Sequence, residues 1–136
     1  MTRDLPVLVV DGTRFSDLDG FAREFSRLLS GYTWRGNLDA FNDVLRGGFG
    51  TPEDGWVLKW IGSETSRTAL GHPETARRLE RLLPGVDPSN RAAFEARLDE
   101  ARRGEGPTLF DEIVAIIREH GPGGRESVDG ILLELS

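Results

Sequence analysis

Tyr32-Thr33-Trp34-Arg35-Gly36-Asn37-Leu38-Asp39-Ala40-Phe41-Asn42-Asp43-Val44-Leu45-Arg46-Gly47-Gly48 is a loop that runs into a short amphipathic helix. Asn37 is a favourable N-cap, Leu38, Phe41, Val44 and Leu45 recur on one side, and the paired glycines stop the helix. Asp39 and Asp43 lie one turn apart on the other side, which they share with Asn42 and Arg46. Two like charges at this spacing cost an isolated helix about 0.2–0.5 kcal/mol. The positive helix N-terminus offsets that for Asp39. Asp43 has no such compensation, and Asp is a poor residue inside a helix. A local cost without a local benefit marks a candidate functional position, although a solvated face looks the same.

Outward from this stretch, Leu5–Val10, Trp56–Trp60 and Ile131–Leu135 read as buried strands, rich in branched or aromatic residues and bounded by Gly, Pro or Asp. A first helix is expected from a Ser16 cap, with Leu18, Phe21, Phe25, Leu28 and Leu29 as its stripe and Gly31 as its stop. A late helix is expected from Thr108 to His120, with Leu109, Ile113, Ile116 and Ile117 on one face. Residues 71–106 read as two further helices: one begins near Pro73 and ends at Pro84-Gly85, and one carries Phe94, Leu98 and Ala101 before Gly104. Helices between strands indicate right-handed crossovers. The expected fold is a single α/β domain over 1–136: a three-stranded parallel sheet packed by helices.

Composition narrows the function classes. With no cysteine among 136 residues, disulfides and thiolate chemistry are excluded. The longest apolar runs, Val7–Val10 and Ile131–Leu133, are far too short to span a bilayer, and Met1-Thr2-Arg3-Asp4-Leu5-Pro6 does not have the pattern of a leader. No membrane role is expected, and the expected location is the cytoplasm. Net charge is −6, and residues 72–106 hold seven acids and seven arginines, so the excess lies in the rest of the chain. An acidic body repels nucleic acid and attracts a cationic partner, or simply keeps a small protein soluble.

Placed after an aromatic loop and before a Trp-containing strand, Asn37-Leu38-Asp39-Ala40 with Asp43 one turn on resembles the loop and second helix of the barstar family of ribonuclease inhibitors. Val10-Asp11-Gly12, Val57-Leu58-Lys59-Trp60 and Ile131–Ser136 are similar to that family's first turn, second strand and last strand. Residues 5–70 and 108–136 follow the family in order and spacing, so 71–106 is expected to be a two-helix insertion. The resemblance implies a monomeric, cofactor-free and metal-free inhibitor of a cationic ribonuclease or related toxin. Asp43 would be the main phosphate mimic, Asp39 a second acidic contact and Glu119 a third. Trp34, Thr33, Arg35, Gly36, Asn37, Leu38, Asn42 and Arg46 would complete the face. Each has a plainer reading: Trp34 as a packing aromatic, Asn37 as a cap only, Glu119 as an exposed helix end. Thr33 and Asn42 stand where aromatics are expected, and Arg35 where a glycine is, which points to a different target enzyme or to weaker binding of the familiar one.

Two other classes stay open. Catalysis finds little support, because His72 and His120 lack metal-ligand spacing and Gly48-Phe49-Gly50-Thr51 is no phosphate loop. An immunity or interaction protein of the same fold, acting on a partner other than a ribonuclease, is separated from an inhibitor by target alone.

Overall fold

All three strands form: β1 is Val7–Asp11, β2 is Trp56–Ile61 and β3 is Ile131–Leu135. The computed structural model describes residues 4–136, so Met1–Arg3, the first half of the Met1–Pro6 stretch read above for a leader pattern, lie outside the described residues. The strands are parallel in the order β1-β2-β3, with Val7 aligned to Val57 and Trp56 to Ile131. β1 starts two residues later than expected because Pro6 has no N–H; its carbonyl still accepts the Val57 N–H at 2.8 Å. The chain steps across the sheet in one direction, so right-handed crossovers put both connections on the same face. Burial agrees. Val10, Trp56, Leu58, Trp60 and Ile131 are buried on one face, whereas Val7, Val9, Lys59, Leu132 and Glu134 are exposed on the other.

The helices among the described residues are α1 Leu18–Ser26, α2 Leu38–Arg46, α3 Ser63–Ala69, α4 His72–Leu82, α5 Arg91–Arg102 and α6 Leu109–Glu119. Two details correct the sequence reading. The cap of α1 is Asp17, whose carboxylate accepts the Gly20 N–H at 2.7 Å; Ser16 sits one residue too early to reach it. α1 also closes at Ser26, so Leu28 and Leu29 pack against the core from the following turn.

α3 was not anticipated. Its sequence, Ser-Glu-Thr-Ser-Arg-Thr-Ala, has no apolar stripe, and its buried positions are serines. Ser66 Oγ accepts the Trp60 Nε1–H at 2.9 Å inside the core. Gly12 makes this approach possible, since a Cβ there would fall 2.3 Å from Ser66 Oγ and 2.4 Å from the Gly62 carbonyl.

The main core joins the inner sheet face to α1, α2 and α6. Its centre is aromatic: Phe21 stacks on Trp60 at 5.0 Å and Phe25 meets Phe41 edge-on at 4.9 Å. α4 and α5 form a helical hairpin with a small cluster of their own, Ala76, Leu79, Leu98 and Ala101, flanked by Leu83 and Phe94. The first turn of α4 ties this hairpin to the body. Glu74 accepts the Leu18 N–H at the start of α1 at 2.7 Å, and Thr75 Oγ1 accepts the Leu109 N–H at the start of α6 at 2.8 Å. Arg97 of α5 also pairs with Glu112 of α6.

Candidate functional site

Trp34 is the keystone of the loop before α2, and its position corrects the expectation that it offers a contact to a partner. It is 1% exposed, stacks on Phe41 at 4.5 Å and meets Phe21 edge-on. A large aromatic amid Phe21, Phe25 and Phe41 gains more from the core than from solvent. Its backbone N–H donates to Ser26 Oγ at 2.9 Å, that hydroxyl donates back to the Trp34 carbonyl, and its Nε1–H donates to the Asn37 carbonyl at 2.8 Å. The loop is thereby fastened to α1 and the start of α2 is fixed. The exposed aromatic of the loop is instead Tyr32, 37% exposed and packed on Phe49 at 4.5 Å. Two aromatics one residue apart, at 32 and 34, left the sequence unable to say which one faces inward.

Gly36 turns the chain into the helix at φ +97°, a conformation that favours glycine. Asn37 caps α2 through Oδ1, which accepts the N–H groups of Asp39 and Ala40 at 2.9 and 3.1 Å. Leu38 is buried with Phe41, Val44 and Leu45, so it supports the face from behind and is not a contact. What α2 shows outward is Asp39 and Asp43, both exposed, with Asn42 partly exposed and Arg46 half exposed. Thr33 and Arg35 are exposed on the preceding loop.

Asp43 is not a free carboxylate. Arg46 Nη1 lies 2.6 Å from Asp43 Oδ1, and the same guanidinium bonds Glu126 through Nε at 3.2 Å and Nη2 at 2.9 Å. The Glu126 hydrogen bond first, and then the charges of Glu126 and Asp43, hold this guanidinium above its ordinary range. Arg46 thus bridges the helix to the segment after α6. A second bridge lies beneath it: buried His120 contacts Asn42 Oδ1 through Nε2 and Asp129 Oδ2 through Nδ1. Partners 78 to 80 residues apart left no trace in local spacing, so Glu126 and His120 were missed as site residues.

Two clefts flank α2. One, of about 420 Å³ between α2 and α6, is lined by Asn42, Arg46, Glu119 and Glu126, so Glu119 lies beside the α2 face. Glu119 also accepts the Arg125 N–H at 3.2 Å. The other cleft, of similar volume, sets Arg35, Gly36, Asn37 and Asp39 against Arg78 and Arg81 of α4. Burial pushes the Arg78 guanidinium down from its ordinary range, and the charge of Arg97 adds to this. The side of α2 towards α4 therefore sets three arginines among Asp39 and Asp19, the latter 3.8 Å from Arg81, a juxtaposition the sequence reading did not foresee. Among the described residues no three of His, Cys, Asp or Glu group to hold a metal ion.

A family model described as Barstar (barnase inhibitor) matches residues 5–110. The chain belongs to the barstar family. The match carries β1, α1, the loop, α2 and β2 in one run, continues through α4 and α5, and stops at the start of α6. Neither the curated proteins nor the solved structures compared with the chain give a match. Barstar-family chains are protein-binding inhibitors rather than enzymes, and the α/β sheet of three parallel strands described above is consistent with that fold. No helix among the described residues is long and apolar enough to cross a membrane.

Proposed function

We propose that this barstar-family protein inhibits a microbial ribonuclease by seating α2 and its loop in the enzyme's cationic active site. One observation carries the reading: α2 presents Asp39 and Asp43 to solvent from a helix whose other face is locked in the core and whose start is pinned by Trp34 and Asn37. Carboxylates held rigidly where a phosphodiester would lie make charge-assisted hydrogen bonds to the arginines, lysines and histidines that bind it. Side-chain ordering, a main cost of association, is reduced in advance because Arg46 already holds Asp43. Asp43 is the principal contact in this reading, with Asp39, Glu119, Thr33, Arg35, Asn42 and Arg46 around it. The protein acts inside the cell as a monomer, and residues 71–106 are a helical insertion in one domain.

Inhibition of a panel of secreted microbial ribonucleases, by the wild type and by Asp43→Ala, tests this. Removing one member of a buried interfacial charge pair costs about 2–5 kcal/mol, a range that draws on the barnase–barstar complex itself, so the loss should be roughly 30-fold or more. The variant should melt within about 0.5 kcal/mol of wild type, because the lost pair is a surface one and Ala suits a helix interior better than Asp. Equal inhibition by both proteins refutes the site.

The cations beside Asp39 and on Asp43 favour one alternative, a toxin other than a ribonuclease whose surface around its active site is acidic. Tight binding to such a toxin, with no inhibition of any ribonuclease, would decide for it.

A further inference from the structure

His120 is wholly buried where α6 ends, and both of its ring nitrogens are engaged. Nδ1 lies 2.7 Å from Asp129 Oδ2, and Nε2 lies 3.0 Å from Asn42 Oδ1. Both of these atoms are acceptors, whereas a neutral imidazole carries a single N–H. Two protonation patterns satisfy the site. As an imidazolium the ring donates to both oxygens, and the NH2 end of the Asn42 amide faces outward. As a neutral ring it donates from Nδ1 to the Asp129 carboxylate, since the other tautomer sets a lone pair against that carboxylate. The bare Nε2 then requires a donor. The Asn42 amide supplies one by turning over, which leaves Oδ1 outward.

The outward end of that amide lines the cleft between α2 and α6, beside Arg46 and Glu119. We propose that Asn42 is a specificity-determining residue of the α2 face, and that His120, backed by Asp129, sets whether Asn42 offers a partner a hydrogen-bond donor or an acceptor. The charged groups around the junction are Asp129 on the turn after α6, Glu119 on α6, and the Asp43–Arg46–Glu126 chain reaching from α2 to that turn. The consequence for binding rests on the ribonuclease-inhibitor reading. A cationic partner is rich in donors, so the form of Asn42 that offers an acceptor binds it better.

The device itself is tested in the free protein, with no ribonuclease in the sample. Nitrogen-15 NMR over a pH series follows the His120 ring nitrogens and the Asn42 side-chain NH2 pair. The expected result is a ring that passes from two protonated nitrogens to Nδ1–H alone, with the Asn42 pair shifting at the same midpoint. In Asp129→Asn, which no longer fixes the neutral tautomer, the Asn42 pair should cease to follow the ring. The proposal is overturned by an Asn42 pair that stays still through the ring's transition, by a neutral ring protonated on Nε2, or by a ring that keeps one form throughout. Ribonuclease inhibition is left standing by any of these, and its own failure leaves the NMR result intact.

Discussion

Glu74→Ala should unseat α1 from a distance of 56 residues. Glu74 is buried, and its Oε2 accepts the Leu18 N–H at 2.7 Å while both carboxylate oxygens receive Arg77 at 2.6 and 2.9 Å. Leu18 opens α1, so its N–H has no partner within the helix. Truncation leaves that donor buried without an acceptor. A hydrogen bond to a charged group contributes about 1.5–3 kcal/mol, and the stranded donor moves the expected loss to the upper half of that range. Arg77 adds little, because it is half exposed and surface ion pairs contribute about 0–1 kcal/mol. α1 carries Phe21 and Phe25 into the core, so the cost falls on global stability. We expect about 2–3 kcal/mol, or a melting temperature lowered by roughly 8–12 °C for a domain of this size. Thermal and urea unfolding of Glu74→Ala, Glu74→Gln and Arg77→Ala make the test. Gln keeps one acceptor oxygen and should lose about half as much, and Arg77→Ala should lose under about 1 kcal/mol. Equal losses for Glu74→Ala and Arg77→Ala would show that the ion pair matters and the bond to Leu18 does not, and the reasoning would fail.

Trp34→Phe removes the Nε1–H donated to Asn37 while keeping an aromatic ring, and should cost about 1–2 kcal/mol in urea unfolding; Trp34→Ala should cost about 3–5 kcal/mol. Inhibition lost by Trp34→Phe without any loss of stability would return Trp34 to the interface. Glu24 sets an acid limb. Burial raises its affinity for a proton, but hydrogen bonds from Arg27 and the Asp11 N–H outweigh this and hold the carboxyl below the ordinary value of 4.5. The unfolded chain therefore takes up that proton first as pH falls, so the contribution is present above 4.5 and is lost as pH drops through the lower folded value. Urea midpoints from about pH 3 to about pH 7 should fall less steeply with acid in Glu24→Gln than in wild type. Thr75→Val strips the acceptor of the Leu109 N–H and should destabilise by about 1–2 kcal/mol, read as a shift of the urea midpoint at unchanged slope.

The sheet and most helices were legible because each strand is a short, mostly apolar run rich in branched or aromatic residues, and α2, α4 and α6 carry clear stripes. α3 was illegible for the opposite reason: it buries Ser63 and Ser66 beside a tryptophan N–H, and serine gives no hydrophobic signal. The exposed pair Asp39 and Asp43 followed directly from helical periodicity. Trp34 did not, since nothing local decides which of two nearby aromatics turns inward. The second row of the site, His120, Asp129 and Glu126, depends on chain segments that meet only when the sheet closes. Arg78 and Arg81 were legible as charges, but their place beside Asp39 depends on how α4 docks.

The hairpin of α4 and α5 gives the molecule two regions of unequal cooperativity. Four small or medium side chains, flanked by Leu83 and Phe94, form its own cluster, whereas the aromatic core spans α1, α2, α6 and every strand. Amide hydrogens in α5 should exchange through local opening, at free energies well below those that release α1 or α6. The hinge of that opening lies just past Glu74 and Thr75, whose bonds stay with the body. Arg78 and Arg81 therefore ride on the softer unit while Asp39 and Asp43 ride on the harder one. A binding surface built across both has a fixed half that sets register and a yielding half that adapts, and drift in residues 86–106 can retune the second while the first is left intact.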